Sequence, residues 1–126
     1  MKIFTAIIIL FFILAACRSE GEAETTFEAI RLSPREAQDI CHAQNNVLLL
    51  DVRSEAEFET FHLPGAVSLP HDEIETRAAD MLPDKDRVIF VYCRAGNRSR
   101  VAADLLARMG YSRVYDIGGV NDWITE

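Results

Sequence analysis

Short apolar runs alternate with amphipathic stretches along the chain from Phe27 onward. Two runs, "VLLLD" at residues 47–51 and "RVIFVYC" at residues 87–93, are almost continuously apolar. Such runs are typical of strands that are buried on both faces of a parallel sheet. Shorter runs predict three further strands, at residues 27–32, 66–69 and 113–119.

The segments between these runs carry signals for helices. Ser33 with Glu36, and Ser54 with Glu57, have the spacing of a capping box, and Pro34 suits a first helical position. The pattern predicts helices over residues 33–43, 54–61, 72–81 and 99–110, and a terminal turn or helix over residues 120–126 with Trp123 packed inward. The fourth helix is predicted to bury Val101, Ala102, Leu105, Leu106 and Met109, and to stop at Gly110.

Strands that alternate with helices predict an α/β domain with a mainly parallel sheet. Ligands of such sheets bind beyond the carboxyl ends of the strands. Cys93 lies at the end of the second buried strand and just before a predicted helix, so it marks a candidate site.

The residues before Phe27 do not continue the alternation of apolar runs and amphipathic stretches. Met1-Lys2 is a short positive start, and residues 3–16 form an apolar segment that is too short for a membrane-spanning helix, which needs about 20 residues. The sequence Leu14-Ala15-Ala16-Cys17 resembles the lipobox of bacterial lipoproteins. We expect a signal peptide over residues 1–16, a lipid anchor on Cys17 and a flexible tether over residues 17–26, which leaves one domain over residues 27–126. By resemblance to the sorting rule of double-membrane bacteria, Arg18 after the lipidated cysteine implies export to the outer membrane, with the domain facing the periplasm.

Composition narrows the class of function. The chain has 126 residues and a formal net charge of −7, which argues against a nucleic-acid binder. Within this acidic chain, three of the 13 Lys and Arg residues follow Cys93 in the stretch "CRAGNRSR".

This stretch is suited to stabilising a thiolate. The N-terminus of the following helix presents free N–H groups, Gly96 allows these groups to converge, and Arg94, Arg98 and Arg100 add positive charge. We therefore expect the pKa of Cys93 to lie below its ordinary value, and we expect the same donors to hold a small oxyanion.

Two chemistries use such a loop. A cysteine phosphatase or arsenate reductase needs five residues between its cysteine and its arginine, whereas Arg98 is the fifth residue after Cys93 and arrives one position early. The second chemistry is sulfur transfer.

Three motifs resemble those of the rhodanese family: "CRAGNRS" resembles its active-site loop, "LLLDVRSEAEFETFHLPGAVSLP" its amino-terminal signature, and "IGGVNDW" its closing motif. The resemblance implies a five-stranded, mainly parallel sheet with helices on both faces. It also implies a thiosulfate sulfurtransferase that carries a persulfide on Cys93 and needs no metal or organic cofactor. The loop residues that it implies in binding the donor are Arg94, Ala95, Gly96, Asn97, Arg98 and Ser99, with Arg94 and Arg98 steering the donor.

Further residues are assigned supporting or structural roles. We expect Asp51 to support the loop by hydrogen bonding, and Arg53 to form a structural ion pair with Glu57 at spacing i, i+4. His62 and His71 are expected to be structural or surface residues, because an ionised thiol needs no general base. Cys41 is expected on the buried face of the first helix.

The predicted partners are a small anionic sulfur donor, a thiol or cyanide acceptor, and the membrane through Cys17, with no nucleic acid and a monomeric state. The histidines and cysteines show no spacing typical of a metal site. A persulfide carrier and a non-catalytic binding module with the same fold remain alternative functions.

Overall fold

The structure is a computed structural model that describes residues 27–124. The predicted signal peptide, the lipidation site at Cys17 and the tether therefore lie outside the described residues. Within residues 27–124, no helix is both long and apolar enough to cross a membrane.

Five parallel strands form one sheet in the order β1-β5-β4-β2-β3. Their bounds are β1 Ile30–Arg31, β2 Val47–Asp51, β3 Val67–Ser68, β4 Val88–Cys93 and β5 Val114–Gly119. The long central strand β4 lies between β2 and β5, so the carboxyl ends of all three strands meet at one edge of the sheet. This arrangement confirms the predicted α/β class with a five-stranded parallel sheet.

The helices are α1 Pro34–Ala43, α2 Glu55–Thr60, α3 Ile74–Met81, α4 Asn97–Arg108 and α5 Val120–Ile124, and a 3₁₀ turn at His71–Glu73 precedes α3. Both predicted capping boxes are present, because the Ser33 and Ser54 hydroxyls accept hydrogen bonds from the N–H groups of Glu36 and Glu57. Each box satisfies N–H groups that a helix start leaves without a partner.

Strand β4 is buried along its whole length and separates two apolar clusters. Ile89, Val91 and Cys93 pack into the cluster that includes α3 and α4, whereas Phe90 and Tyr92 pack into the cluster that includes α1. This alternation follows from the two-residue period of a strand. Burial on both faces explains why the strand is nearly continuously apolar, since each fully buried large side chain contributes about 1.5–3 kcal/mol.

Helix α4 differs in part from its prediction. It begins at Asn97 rather than at residue 99, and Val101 is 58% exposed instead of buried. The buried stripe consists of Ser99, Ala102, Ala103, Leu106 and Ala107. The small side chains in this stripe allow α4 to approach the sheet closely, which apolarity alone did not predict. The helix ends as predicted near Gly110, whose φ is +99°.

Candidate active site

The candidate site is the short loop that joins β4 to α4 at the carboxyl edge of the sheet. Cys93 is the last residue of β4, and Gly96 precedes α4 with a φ of +98°. This left-handed conformation, which glycine adopts without strain, turns the chain so that the Gly96 N–H donates to the Cys93 sulfur, with 3.0 Å between nitrogen and sulfur. Gly96 therefore directs a backbone donor at the thiol.

The thiol of Cys93 is stabilised as an anion. Burial raises the pKa of this thiol, but hydrogen bonds from Ser99, Gly96 and Ala95 outweigh the effect of burial and lower the pKa below its ordinary value. Cys93 is only 1% exposed, although Arg94 and Ala95 above it are exposed. The sulfur therefore lies beneath the loop and is almost completely shielded from solvent.

Two glycines of β5 allow the loop to lie where it does. A Cβ atom on Gly119 would be 2.5 Å from the Arg94 carbonyl oxygen and 2.9 Å from the Ala95 Cα. Gly118 contacts the loop from the same side, with its Cα 3.7 Å from the position of a Cβ on Gly96. The closing motif "IGGVNDW" thus supports the loop through close backbone packing, a role that its letters alone did not reveal.

Ser99 connects the loop to β5. It is fully buried in the first turn of α4, and its hydroxyl oxygen lies 2.7 Å from Asp116 Oδ1. The Gly118 N–H donates to the same carboxylate oxygen at 3.0 Å. Asp116 was missed in the sequence, because a single acidic residue in a short strand gives no sign of which helix covers it.

The two arginines that were expected to steer the donor differ in their surroundings. Arg98 makes a bidentate ion pair with Glu57 of α2, at 2.8 and 3.0 Å, so its charge is balanced. The pairing lowers the pKa of Glu57 to about 2. Arg94 is exposed and has no ion-pair partner among residues 27–124. Arg94 is thus the loop guanidinium that is free to meet an anion from solvent.

The predicted ion pair between Arg53 and Glu57 is wrong. Arg53 pairs instead with the buried carboxylate of Asp51, at 2.7 Å, and also donates to the Phe61 carbonyl oxygen. The cause is the turn after β2, which directs both charged side chains of the "DVR" segment inward, while the capping box and Arg98 hold Glu57.

Among residues 27–124, the predicted hydrogen bond from Asp51 to the loop is not present: both oxygens of the Asp51 carboxylate accept from Arg53 instead. Its support is indirect. Arg53 lies 5.8 Å from the centre of the Tyr92 ring, and the Tyr92 hydroxyl accepts a hydrogen bond from the Leu63 N–H at 3.1 Å. Through Arg53, Asp51 thus anchors the turn after α2, which lies beside the loop.

A cleft of about 270 Å³ opens beside the loop. Its walls come from the turn after β2, from α2 and the turn after it, from the loop and from α5. The lining residues are Arg53, Glu57, Thr60, Phe61, Arg94, Val120 and Asn121. Phe61 is 46% exposed, which is unusual for a large apolar side chain and gives the cleft an apolar wall next to the Arg94 guanidinium. The cleft is a suitable place for a second substrate to contact the loop.

The remaining predicted residues lie away from the sulfur chemistry. His62 is exposed and stacks on Phe58, with ring centres 3.9 Å apart, and His71 is exposed in the 3₁₀ turn. Cys41 is a free, half-buried thiol that packs into the α1 cluster, on the opposite face of the sheet from Cys93. Trp123 is partly buried, and its indole N–H donates to the Ile117 carbonyl oxygen.

Metal coordination is not indicated in the part of the chain that the structure describes, where no group of three or more His, Cys, Asp or Glu side chains could hold an ion. The chemistry that the site can support is nucleophilic: a stabilised thiolate, N–H donors directed at it and the exposed guanidinium of Arg94. The four residues between Cys93 and Arg98 also make the loop one residue shorter than the phosphatase pattern requires.

Comparison with known proteins supports the resemblance to the rhodanese family that the sequence motifs indicate. A family model for the rhodanese-like domain matches residues 33–126. The thiosulfate sulfurtransferase PspE of Escherichia coli is 38% identical over 73 residues, which cover 58% of this chain and 70% of PspE. The adenylyltransferase and sulfurtransferase UBA4 of Candida albicans is 38% identical over 109 residues, or 78% of this chain, although these span only 25% of that protein.

A solved structure described as rhodanese with anions from E. coli is 37% identical, with a TM-score of 0.57 over 60% of this chain and 89% of that chain. The chain therefore belongs to the rhodanese-like sulfurtransferase family.

Proposed function

We propose that this protein takes the outer sulfur of thiosulfate, or of a related donor, onto Cys93 and passes it to a thiol or to cyanide. The observation that carries the proposal is the Cys93 sulfur held beneath converging N–H groups, with its pKa lowered. The similarity to a thiosulfate sulfurtransferase, PspE, supports the choice of donor.

In the first half-reaction, the thiolate of Cys93 attacks the outer sulfur of thiosulfate. A bond forms between the two sulfur atoms, and the original sulfur–sulfur bond breaks with its electron pair leaving on sulfite. The loop N–H groups that stabilised the thiolate then face the negative terminal sulfur of the persulfide. The exposed Arg94 guanidinium attracts the dianionic donor and offsets its repulsion by the thiolate.

In the second half-reaction, an acceptor nucleophile attacks the terminal sulfur, and the Cys93 thiolate leaves. The cleft beside the loop receives the acceptor, since it combines the apolar wall of Phe61 with the guanidinium of Arg94. The two halves make a ping-pong reaction through a covalent intermediate.

The test measures sulfite release from thiosulfate by the full-length protein with cyanide as acceptor. Cys93→Ser should abolish release, whereas Cys41→Ser should leave it unchanged, because Cys41 lies on the opposite face of the sheet. Mass spectrometry after treatment with thiosulfate alone should show one added sulfur atom, located on Cys93. An unchanged rate in Cys93→Ser would disprove the proposal.

The same assays separate the alternatives. A persulfide carrier would gain the sulfur atom but would pass it to cyanide slowly, and a binding module would gain none. Hydrolysis of a phosphate ester or reduction of arsenate that depends on Cys93, without sulfur transfer, would favour the phosphatase class instead.

We further propose that the protein is an exported monomer anchored in the outer membrane through lipid on Cys17, with its domain in the periplasm. The support is the sequence Leu14-Ala15-Ala16-Cys17 followed by Arg18. Cys17→Ser should release the protein from the isolated membrane fraction, and the mass of the native protein should include acyl chains. A full-length chain that stays in the soluble fraction would refute the anchor.

A further inference from the structure

The apolar wall of the cleft beside the loop is held from behind by a buried ion pair. Arg53 is 5% exposed, Asp51 is fully buried, and their charged groups meet at 2.7 Å. The Nη2 atom of Arg53 that binds Asp51 also donates to the carbonyl oxygen of Phe61, at 2.5 Å. Arg53 thus connects the end of β2 to the residue that forms the apolar wall, and the reaction steps proposed above give this connection no role.

Core packing does not fix the position of the wall. None of the six residues of α2 is buried, so polar contacts hold this helix and the turn after it. An ion pair with Arg98 holds the helix, and the Leu63 N–H donates to the Tyr92 hydroxyl at 3.1 Å. The bond from Arg53 is the contact that fixes the Phe61 carbonyl. The place of the Phe61 ring beside the loop therefore depends on Arg53.

The cleft combines an apolar surface with one positive charge. Phe61 is 46% exposed, and Val120 adds to the apolar lining. Arg94 is exposed and has no ion-pair partner among residues 27–124, whereas the negative charge of Glu57 is balanced by Arg98. The cleft volume of about 270 Å³ lies just below the range of about 300–1,000 Å³ for small-molecule sites. The cleft therefore fits a small organic anion with an apolar body.

We propose that the acceptor is a small organic thiol with an apolar body and a carboxylate, and that Arg53 is a positioning residue that selects this acceptor by holding Phe61 in place. The inference rests on the proposed sulfur transfer and concerns its second half-reaction alone. In a ping-pong reaction sulfite has left before the acceptor enters, so the Arg94 guanidinium is available to the carboxylate.

The transfer step itself is the same for every acceptor. The acceptor thiolate forms a bond to the terminal sulfur of the persulfide, the bond between this sulfur and the Cys93 sulfur breaks, and its electron pair stays on Cys93. The acceptor leaves as its own persulfide. Cyanide makes the same attack but has no apolar body to place against Phe61. Acceptors that differ in size and charge therefore separate the role of the wall from the chemistry at the sulfur.

The effect of Arg53 can be expressed as a change in population. Without its bond, the turn after α2 spends part of its time with Phe61 away from the cleft. The apparent dissociation constant of the thiol then rises in inverse proportion to the fraction of protein that keeps the wall in place. One hydrogen bond to a charged group changes such an equilibrium about tenfold or more. The limiting rate of transfer is preserved, because a bound thiol has the wall in place.

The experiment compares Arg53→Lys with the unaltered full-length protein in single turnovers. Each protein is loaded with thiosulfate, freed of donor and mixed with either 4-mercaptobenzoate or cyanide. Lysine keeps the charge but lacks the planar fork that binds Asp51 and Phe61 together. The half-saturating concentration of 4-mercaptobenzoate should rise about tenfold, with little change in its limiting rate. The acceptor ratio, which is the second-order rate constant for 4-mercaptobenzoate divided by that for cyanide, should fall by about the same factor.

Two comparisons test the chemical class of the acceptor. 2-Mercaptoethanol has a thiol but neither a carboxylate nor a ring, so Arg53→Lys should affect it as it affects cyanide. In the unaltered protein, 4-mercaptobenzoate should half-saturate transfer at a lower concentration than thiophenol, which has the ring without the charge. An equal loss with 2-mercaptoethanol and 4-mercaptobenzoate would overturn selection by the wall, and tighter binding of thiophenol would overturn the preference for a carboxylate.

Arg77→Lys is the matched control for the exchange of arginine for lysine. Arg77 forms an ion pair with Glu73 on the surface at the start of α3, and neither residue lines the cleft. This variant should leave the acceptor ratio unchanged. A fall in the ratio equal to that of Arg53→Lys would show that the effect does not come from the wall.

Phe61→Ala tests the inference even if Arg53→Lys fails to fold, because it removes the wall and leaves the buried ion pair intact. It should lower the same acceptor ratio. In the Phe61→Ala background, Arg53→Lys should lower the ratio no further, since Arg53 acts through Phe61. An unchanged ratio in Phe61→Ala, or in a folded Arg53→Lys, would overturn the inference.

The loading of Cys93 is measured separately, by the added mass of one sulfur atom. An unaltered protein that takes no sulfur from thiosulfate would refute the proposed function. Normal loading with an unchanged acceptor ratio in the variants would refute only the role of Arg53 in selecting the acceptor.

Discussion

Replacement of Gly119 by alanine should damage the site more than it damages the fold. A Cβ atom at this position would lie 2.5 Å from the Arg94 carbonyl oxygen and 2.9 Å from the Ala95 Cα. Comfortable contacts need about 3.5–4.0 Å, so the loop must move by about 1 Å. Both neighbours are backbone atoms, and the displacement therefore carries the N–H donors away from the Cys93 sulfur.

The expected magnitudes follow from this displacement. Insertion of one methyl group into a packed region costs about 1–3 kcal/mol of the free energy of unfolding. A misplacement of about 1 Å at a reacting centre can reduce a rate about 100-fold. Loss of the donors should also raise the pKa of Cys93, since the Gly96 nitrogen now lies 3.0 Å from the sulfur.

Two kinds of assay check Gly119→Ala. Urea unfolding measures the free energy of unfolding. Sulfite release, together with the pH dependence of Cys93 alkylation, measures the effect on the active site. Gly65→Ala is the matched control, because Gly65 has a φ of +80° but no atom lies within 4 Å of the position that its Cβ would take. It should lose about 1–2 kcal/mol from backbone strain without affecting Cys93. Normal sulfite release and an unaltered Cys93 titration in Gly119→Ala would refute the argument from close packing.

Three further outcomes are expected. Glu57→Gln removes a carboxylate whose pKa is lowered to about 2, chiefly by its ion pair with Arg98 of α4. The wild type should therefore lose stability as pH falls from about 4.5 toward 2. Urea unfolding should show that the free energy of unfolding of the variant falls less over this pH range. Cys93 should be alkylated at lower pH than Cys41, whose pKa is raised by burial, and the opposite order in peptide-resolved mass spectrometry would contradict the site. Tyr92→Phe leaves the buried N–H of Leu63 without its acceptor and should cost about 1–3 kcal/mol by urea unfolding, whereas an unchanged midpoint would show that another group replaces the hydroxyl.

Much of the architecture could be predicted because its signals are local. The apolar runs at β2 and β4, the caps at Ser33 and Ser54, and the turn into α4 each depend on residues a few positions apart. The position of Cys93 at the end of a buried strand likewise follows from the apolar run that precedes it. The lowered pKa of Cys93 agrees with the expectation drawn from residues 94–100, which follow it.

The pairing of charged side chains could not be predicted in this way. Local spacing placed Arg53 with Glu57, but Glu57 binds Arg98, which is 41 positions away, and Arg53 binds Asp51. A helical i, i+4 rule applies only when both residues belong to one helix, and Arg53 precedes the start of α2.

Side-chain type and neighbours along the chain were enough to predict the succession of strands and helices, the loop that follows Cys93 and the kind of chemistry that this loop supports. They were not enough to show that Gly119 lies against the loop, that Glu57 balances Arg98 or that Asp116 contacts Ser99. Those contacts depend on how closely separate elements approach one another, and that distance is set by packing across the whole sheet.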